Sequence, residues 1–207
     1  MRHRSLTKDR LVEAAQSLAR RDADLATILT RHGPPPMWGR KPGFPTLVRI
    51  ILEQQVSLAS ARSMFSRLTA SVIPFAAARF VELGEPHFRS LGVTRQKAGY
   101  CVHVARAIAE GQLDLAAVGR MSDSQVKAAL TQVLGIGPWT AEIYLLMALR
   151  RADVWPAGDL ALLTSLGRLK RLRERLAPVQ AAKIAESWRP FRSVAARMLW
   201  QHYLAGM

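Results

Sequence analysis

Two glycines flank a single apolar residue in Leu134-Gly135-Ile136-Gly137-Pro138-Trp139-Thr140-Ala141, and a proline follows at once. Glycine tolerates positive φ, so the pair permits a very tight turn between the helical segments on either side. Pro138 can restart a helix at its first position, where a missing N–H is harmless. Ile136 is expected as the buried plug joining the two helices. The N–H groups of Gly137 and of the following first turn would point outward. Helix-dipole character adds to them, so the turn suits a phosphate oxygen. A plain helix–turn–helix corner with a glycine cap is the alternative on pattern alone.

The rest of the chain also reads as helices. Leu11 to Leu29 carries apolar residues at helical spacing, with Leu11, Ala14, Ala15, Leu18 and Ala19 on one side. The run from Gly33 to Pro45, rich in proline and glycine, cannot continue it. Met37, Trp38 and Phe44 are unusual in a linker, so this stretch reads either as a surface connection or as a loop over a pocket. Further helices are expected over 47–56, 58–72, from Pro74 to Gly84, from a Thr94 cap to Glu110, and from Ser122 to Val133. Gly111 can terminate the fourth of these, and Ser122 and Gln125 have capping-box spacing. Helices follow near 138–150, 159–175, 177–187 and 191–204. No alternating apolar pattern bounded by turn signals marks a strand.

Composition narrows the function. Lys plus Arg number 30 against 15 Asp plus Glu, a net charge of +15. Such an excess repels itself unless it meets a polyanion, which makes nucleic acid the leading partner and a membrane surface the runner-up. No apolar run is long enough to span a membrane, and the start, Met1-Arg2-His3-Arg4-Ser5, is not a signal sequence. An intracellular location, on DNA in the cytoplasm or nucleoid, is therefore expected. Cys101 is the only cysteine, which excludes an internal disulfide, a zinc ribbon and a four-cysteine cluster. Cys101 and His103 do not share a helix face, and no metal site is expected.

Four separated segments resemble the helix–hairpin–helix DNA glycosylases, and within them the 3-methyladenine DNA glycosylase II family. They are the hairpin; Ile50-Ile51-Leu52-Glu53-Gln54-Gln55-Val56-Ser57; Trp155-Pro156-Ala157-Gly158-Asp159; and Trp188-Arg189-Pro190-Phe191-Arg192-Ser193 with Trp200. They span about residues 43–204 in family order. The resemblance implies an all-α, two-lobed helix–hairpin–helix glycosylase fold with its active site in the inter-lobe cleft. One lobe is expected over 43–118, with 119–165 crossing to the other. Residues 1–42, an N-terminal helix and Pro-rich loop, are set apart from the glycosylase core at 43–207. That leading segment leaves no room for the extra N-terminal β domain of the long bacterial members.

The resemblance also assigns roles. Asp159 stands among Val154, Trp155, Pro156, Leu160 and Leu162 and, read locally, is either a helix N-cap or a carboxylate with a task. The family makes it the catalytic aspartate. An anion there stabilises an oxocarbenium-like sugar and can orient or deprotonate the attacking water. Members that are also lyases carry a lysine where this chain has Trp139, so monofunctional hydrolysis is implied. Trp139 and Trp200 fall on positions lining the alkylbase pocket, where an electron-rich face attracts a cationic base. Tyr144, one residue from the family's pocket tyrosine, is placed with them.

Gln55 matches the wedge that fills the gap left by a flipped base, while Gln54 is expected to bond backbone and hold its turn. Gly135, Gly137, Thr140 and Lys97, with Arg95 near it, are expected at the DNA. Arg168, Lys170, Arg171, Arg173 and Arg175 form either a solvated face or a DNA flank. No cofactor is expected beyond a monovalent cation that the family's hairpin can hold through main-chain carbonyls, here those of Thr131, Val133 and Ile136. The expected partner is double-stranded DNA with damaged bases, met by a monomer that excises alkylated purines and leaves an abasic site. A glycosylase for deaminated bases such as hypoxanthine, and a binding protein without chemistry, are the rivals.

Overall fold

The computed structural model describes residues 5–172, 174 and 176–206, and every regular element among them is helical. In chain order these are α1 (Lys8–Arg21), α2 (Ala23–His32), α3 (Phe44–Glu53), α4 (Leu58–Ser71), α5 (Ala77–Ser90), α6 (Arg95–Ala109), α7 (Leu115–Val118), α8 (Asp123–Thr131) and α9 (Pro138–Ile143). After a π-helical turn (Tyr144–Ala148) come α10 (Leu160–Leu169), α11 (Pro178–Ala185), a 3₁₀ turn (Glu186–Trp188) and α12 (Arg192–Ala205). The all-α expectation is met.

The helices form two compact units, one of Arg40–Tyr144 and one made of the chain up to Gly39 together with the chain from Leu145. This differs from the expected division into 1–42 and 43–207. The first two helices join the C-terminal segment because α12 packs on both of them and because the Leu6 N–H donates to the Arg150 carbonyl at 2.8 Å. The 40–144 unit also keeps what was expected to cross over, since α9 packs on α3 and α8.

In the 40–144 unit, Leu47, Ile50 and Ile51 of α3 are fully buried, and α3 packs on α4, α6 and α9. Phe44, Phe80 and Phe88 stack through the centre; Phe44 meets Phe80 edge-on at 4.8 Å. The helix expected from Pro74 starts at Ala77 instead and runs on past Gly84, whose φ of +69° breaks it into two segments. Pro86 then stands in the first turn of the second segment, where it is tolerated. The Thr94 cap is present, as is the reciprocal Ser122–Gln125 capping box. Cys101 is buried, and burial pushes its thiol up to about 12.

The other unit is built around α12, whose residues Ser193–Trp200 are all buried. It packs on α1, α2 and α10. The single helix expected over 11–29 is two: Asp22 leaves helical geometry, ends α1 and caps α2 by accepting the Asp24 and Leu25 N–H groups. The second Asp22 oxygen accepts from Trp188 Nε1 at 2.9 Å, tying this corner to the 3₁₀ turn before α12.

Candidate active site

The hairpin between α8 and α9 is tight for the expected reason at one glycine only. Gly135 has φ +97°. A Cβ there would lie 2.5 Å from Tyr100 Cβ and 2.6 Å from Tyr100 Cγ, so the residue is also forced to be small. Gly137 is different. Its φ is −84° with ψ 176°, an extended N-cap that any residue can adopt, and nothing of the protein lies within 4 Å of a Cβ built on it. The expectation of positive φ at both glycines is corrected: one left-handed residue suffices to turn the chain, because Pro138 already begins the next helix. Ile136 is buried as the expected plug.

Gln54 pins this turn from a distance in sequence. Its Nε2 donates to the Gly135 carbonyl and to Thr140 Oγ1, both at 3.0 Å. Gln54 was expected to hold its own turn; it holds the hairpin. Thr140, expected at DNA, is 1% exposed with its hydroxyl turned inward to Gln54, so its side chain is not a contact for an outside ligand.

Lys97 is also corrected. It is buried, and its Nζ donates to the Leu52 carbonyl at 2.6 Å, closing the C-terminal end of α3. Burial lowers its pKa, and a buried ammonium engaged on a carbonyl is not a phosphate contact. Arg95, two residues earlier, is exposed. Tyr144, grouped with the pocket, is a core residue: it has no exposed surface and its hydroxyl accepts the Gly43 N–H at 3.0 Å. Burial pushes its phenol up.

Gln55 stands just beyond the Leu52 carbonyl, between α3 and α4. It is exposed and has φ +53°, a left-handed conformation uncommon outside glycine. The hydrogen-bonded glutamine of this pair is its half-buried neighbour Gln54. Trp139 is half-buried on the first turn of α9.

In the other unit, Asp159 is the N-cap of α10, its Oδ1 accepting the Leu162 N–H at 3.0 Å. The same oxygen accepts Trp200 Nε1 at 3.0 Å, and both side chains are nearly buried. An N-cap bond engages one carboxylate oxygen, so a cap role and a chemical role for Asp159 are compatible. The segment leading to Asp159 is fastened to the start of α12. Asp153 is held by Arg192 at 2.9 Å and Arg189 at 2.8 Å, and Ser193 both donates to the Val154 carbonyl and accepts its N–H. This explains the Arg-Pro-Phe-Arg-Ser segment as the strap under the carboxylate loop.

Sequence reasoning overlooked Arg197 and left Trp38 open. Arg197 has no exposed surface and donates to the carbonyls of Met37, Ser193 and Leu146. Burial brings its pKa down to about 10. Trp38 meets Trp200 edge-on, ring centres 6.4 Å apart. The periodicity of α12 marked position 197 as inward, but an arginine there is normally read as outward.

The basic run that begins in the last turn of α10 has partners inside the unit. Arg168 lies over the Tyr203 ring at 5.9 Å, and Lys170 pairs with Asp24 at 2.5 Å. Arg171 is exposed, while Arg173 and Arg175 lie outside the described residues. Among the described residues, no three His, Cys, Asp or Glu side chains could hold a metal ion, and no helix is long and apolar enough to cross a membrane.

An all-helical pair of units, a one-plug hairpin and a tryptophan-bound carboxylate at a helix start define a recognisable class. Residues 48–190 match the HhH-GPD superfamily of base excision DNA repair proteins, and the chain belongs to that superfamily. It is similar to a Bacillus subtilis protein, YfjP, with 27% identity over 188 residues that cover 86% of this chain and 64% of that one. DNA-3-methyladenine glycosylase 1 of Schizosaccharomyces pombe is 28% identical over 181 residues, covering 86% of this chain and 79% of the relative. The structure of a 3-methyladenine DNA glycosylase from the same yeast, in complex with abasic DNA, superposes with TM-score 0.83 at 26% identity, covering 91% of this chain and 95% of that one.

Proposed function

We propose that the chain is a monofunctional DNA glycosylase that hydrolyses the N-glycosidic bond of alkylated purines in duplex DNA. The observation that carries this is the Asp159 carboxylate, held by the Leu162 N–H and by Trp200 Nε1. The first bond fixes the carboxylate's direction; the second sets an electron-rich ring beside it. As the base leaves, the sugar becomes cationic, and a carboxylate fixed beforehand stabilises that charge without reorganising. Water adds at the sugar carbon, Asp159 takes its proton, and the products are the free base and an abasic sugar. An alkylated purine already carries positive charge and leaves without a second carboxylate to protonate it. Relatives named as 3-methyladenine glycosylases support the same substrate class.

Trp200 offers aromatic surface beside Asp159 to the cationic base, a contact worth roughly 0.5–2 kcal/mol. Gln55, exposed on its left-handed turn, fills the gap that the flipped nucleotide leaves. Gly135 and Gly137 form the phosphate turn, which Thr140 supports from within through Gln54, with the chain acting as a monomer on the duplex. A monovalent cation would be held by the neutral carbonyls of Thr131, Val133 and Ile136, and it would lend positive charge to that turn. Lyase chemistry lacks its amine at Trp139, and two lysines of this unit are engaged, Lys97 on the Leu52 carbonyl and Lys127 on Glu142. Borohydride is therefore expected to trap no covalent adduct, and a trapped species would refute monofunctional hydrolysis. The function itself is tested by incubating the chain with 7-methylguanine and hypoxanthine duplexes and scoring released base. Release of the methylated base is expected; release of hypoxanthine alone, or of nothing, would overturn the reading.

A further inference from the structure

We propose that Trp38 is a specificity-determining residue, an additional aromatic wall at Trp200 that selects cationic purines. The inference rests on the alkylpurine reading above and extends it to a loop that this reading leaves without a task. Trp38 sits in Gly33-Pro34-Pro35-Pro36-Met37-Trp38-Gly39, where prolines hold the backbone nearly fixed. Its φ is +45°, and a bulky residue persists there only when its surroundings over-determine it. The determinant is adjacent: the Met37 carbonyl accepts Arg197 Nε at 2.9 Å. Arg197 is wholly buried, and its other bonds, at 3.0 and 2.8 Å, also go to carbonyls. Burying a guanidinium among neutral acceptors is a demanding way to hold one loop residue, since desolvation is offset by hydrogen bonds alone.

What this arrangement achieves is the placement of one ring. Trp38 meets Trp200 at 6.4 Å with 66° between the planes, and Trp200 bonds Asp159. Trp200 is 8% exposed, so little of its face is accessible, whereas Trp38 is only half-buried. Steeply inclined indoles make a corner rather than a stack. A planar cation entering such a corner meets one face and one edge, and the more exposed residue of the pair is Trp38. Packing alone would be served by any apolar side chain at ordinary φ.

The test is single-turnover release of 7-methylguanine from a methylated duplex by the intact chain and by its W38F and W38L variants, with affinity for an abasic duplex measured alongside. W38F keeps an aromatic face and is expected within about 3-fold of wild type. W38L keeps apolar bulk without a π face and is expected to lose about 3- to 30-fold, with abasic-duplex affinity unchanged in both. Full release by W38L, equal loss in both variants, or loss of abasic-duplex affinity in step with release would overturn the assignment. A wild type that releases no methylated base would overturn the alkylpurine reading instead. Trp38 is then decided by fluorescence titration with 7-methylguanosine against guanosine. Preference for the methylated nucleoside that is lost in W38L supports the assignment; no preference, or one retained in W38L, overturns it.

Discussion

Replacing Gly135 by alanine should unfold the hairpin's support, and the structure sets the size of the effect. At φ +97° an L-residue is strained by about 1–3 kcal/mol. The added Cβ would also stand 2.5 Å from Tyr100 Cβ. Trimming Tyr100 cannot relieve that contact, because every residue except glycine carries the atom. Nor can the turn retreat freely, since the Gly135 carbonyl accepts from Gln54 and the Ile136 N–H donates to the Val133 carbonyl. Overpacking of this kind adds about 1–3 kcal/mol. The sum, about 2–6 kcal/mol, corresponds to a fall of order 10 °C in melting temperature for a chain of this size. Gly137→Ala is the control: with φ −84° and open space at Cβ, its stability should stay within about 0.5 kcal/mol of wild type. Its duplex affinity should nevertheless fall by about 1–3 kcal/mol, equally for damaged and undamaged DNA, because the new methyl crowds an approaching phosphate. Thermal denaturation with duplex titration at fixed salt measures both. Wild-type stability in Gly135→Ala, or destabilisation in Gly137→Ala, would refute the reasoning.

Two further outcomes are expected. Lys97→Met should leave the salt dependence of duplex binding unchanged, because the ammonium faces the Leu52 carbonyl and neutralises no phosphate; a slope reduced by about 0.9 would place it on DNA. His202 is held below 6.5 by burial first, then by His32, Arg31 and Arg168. The unfolded residue therefore takes up a proton that the folded one refuses, and stability is lost as pH falls from 6.5 through the folded value. His202→Gln should flatten that loss in melting temperature, and an identical profile in the variant would contradict it.

How much of this was legible in sequence depended on the range of the interaction. Caps within three residues, such as Thr94 on Lys97, Ser122 with Gln125 and Asp159 on Leu162, could be read because the partner is nearby. The break at Asp22 was hidden because Leu18 and Leu25, both buried, stand in phase with one continuous helix. The hairpin's shape was legible, but which glycine is left-handed was not, since that depends on Tyr100 from α6 lying against Gly135. Lys97 and Arg197 were misread or missed because basic side chains are rarely buried, and only the fold shows the carbonyls that receive them. Gln54 and Gln55 look alike in sequence; one reaches a residue 81 positions away and the other points to solvent.

The central claim, that the Asp159 carboxylate acts on the sugar of an alkylated nucleotide, is tested most directly by single-turnover release of 7-methylguanine from duplex DNA by Asp159→Asn. Asparagine caps a helix about as well as aspartate and can still accept from Leu162 and Trp200 through its Oδ1, so the substitution removes charge and leaves the fold. The charge matters as the sugar becomes cationic, so release should be abolished while duplex affinity stays near that of wild type. Release at the wild-type rate by a folded Asp159→Asn chain would contradict the account.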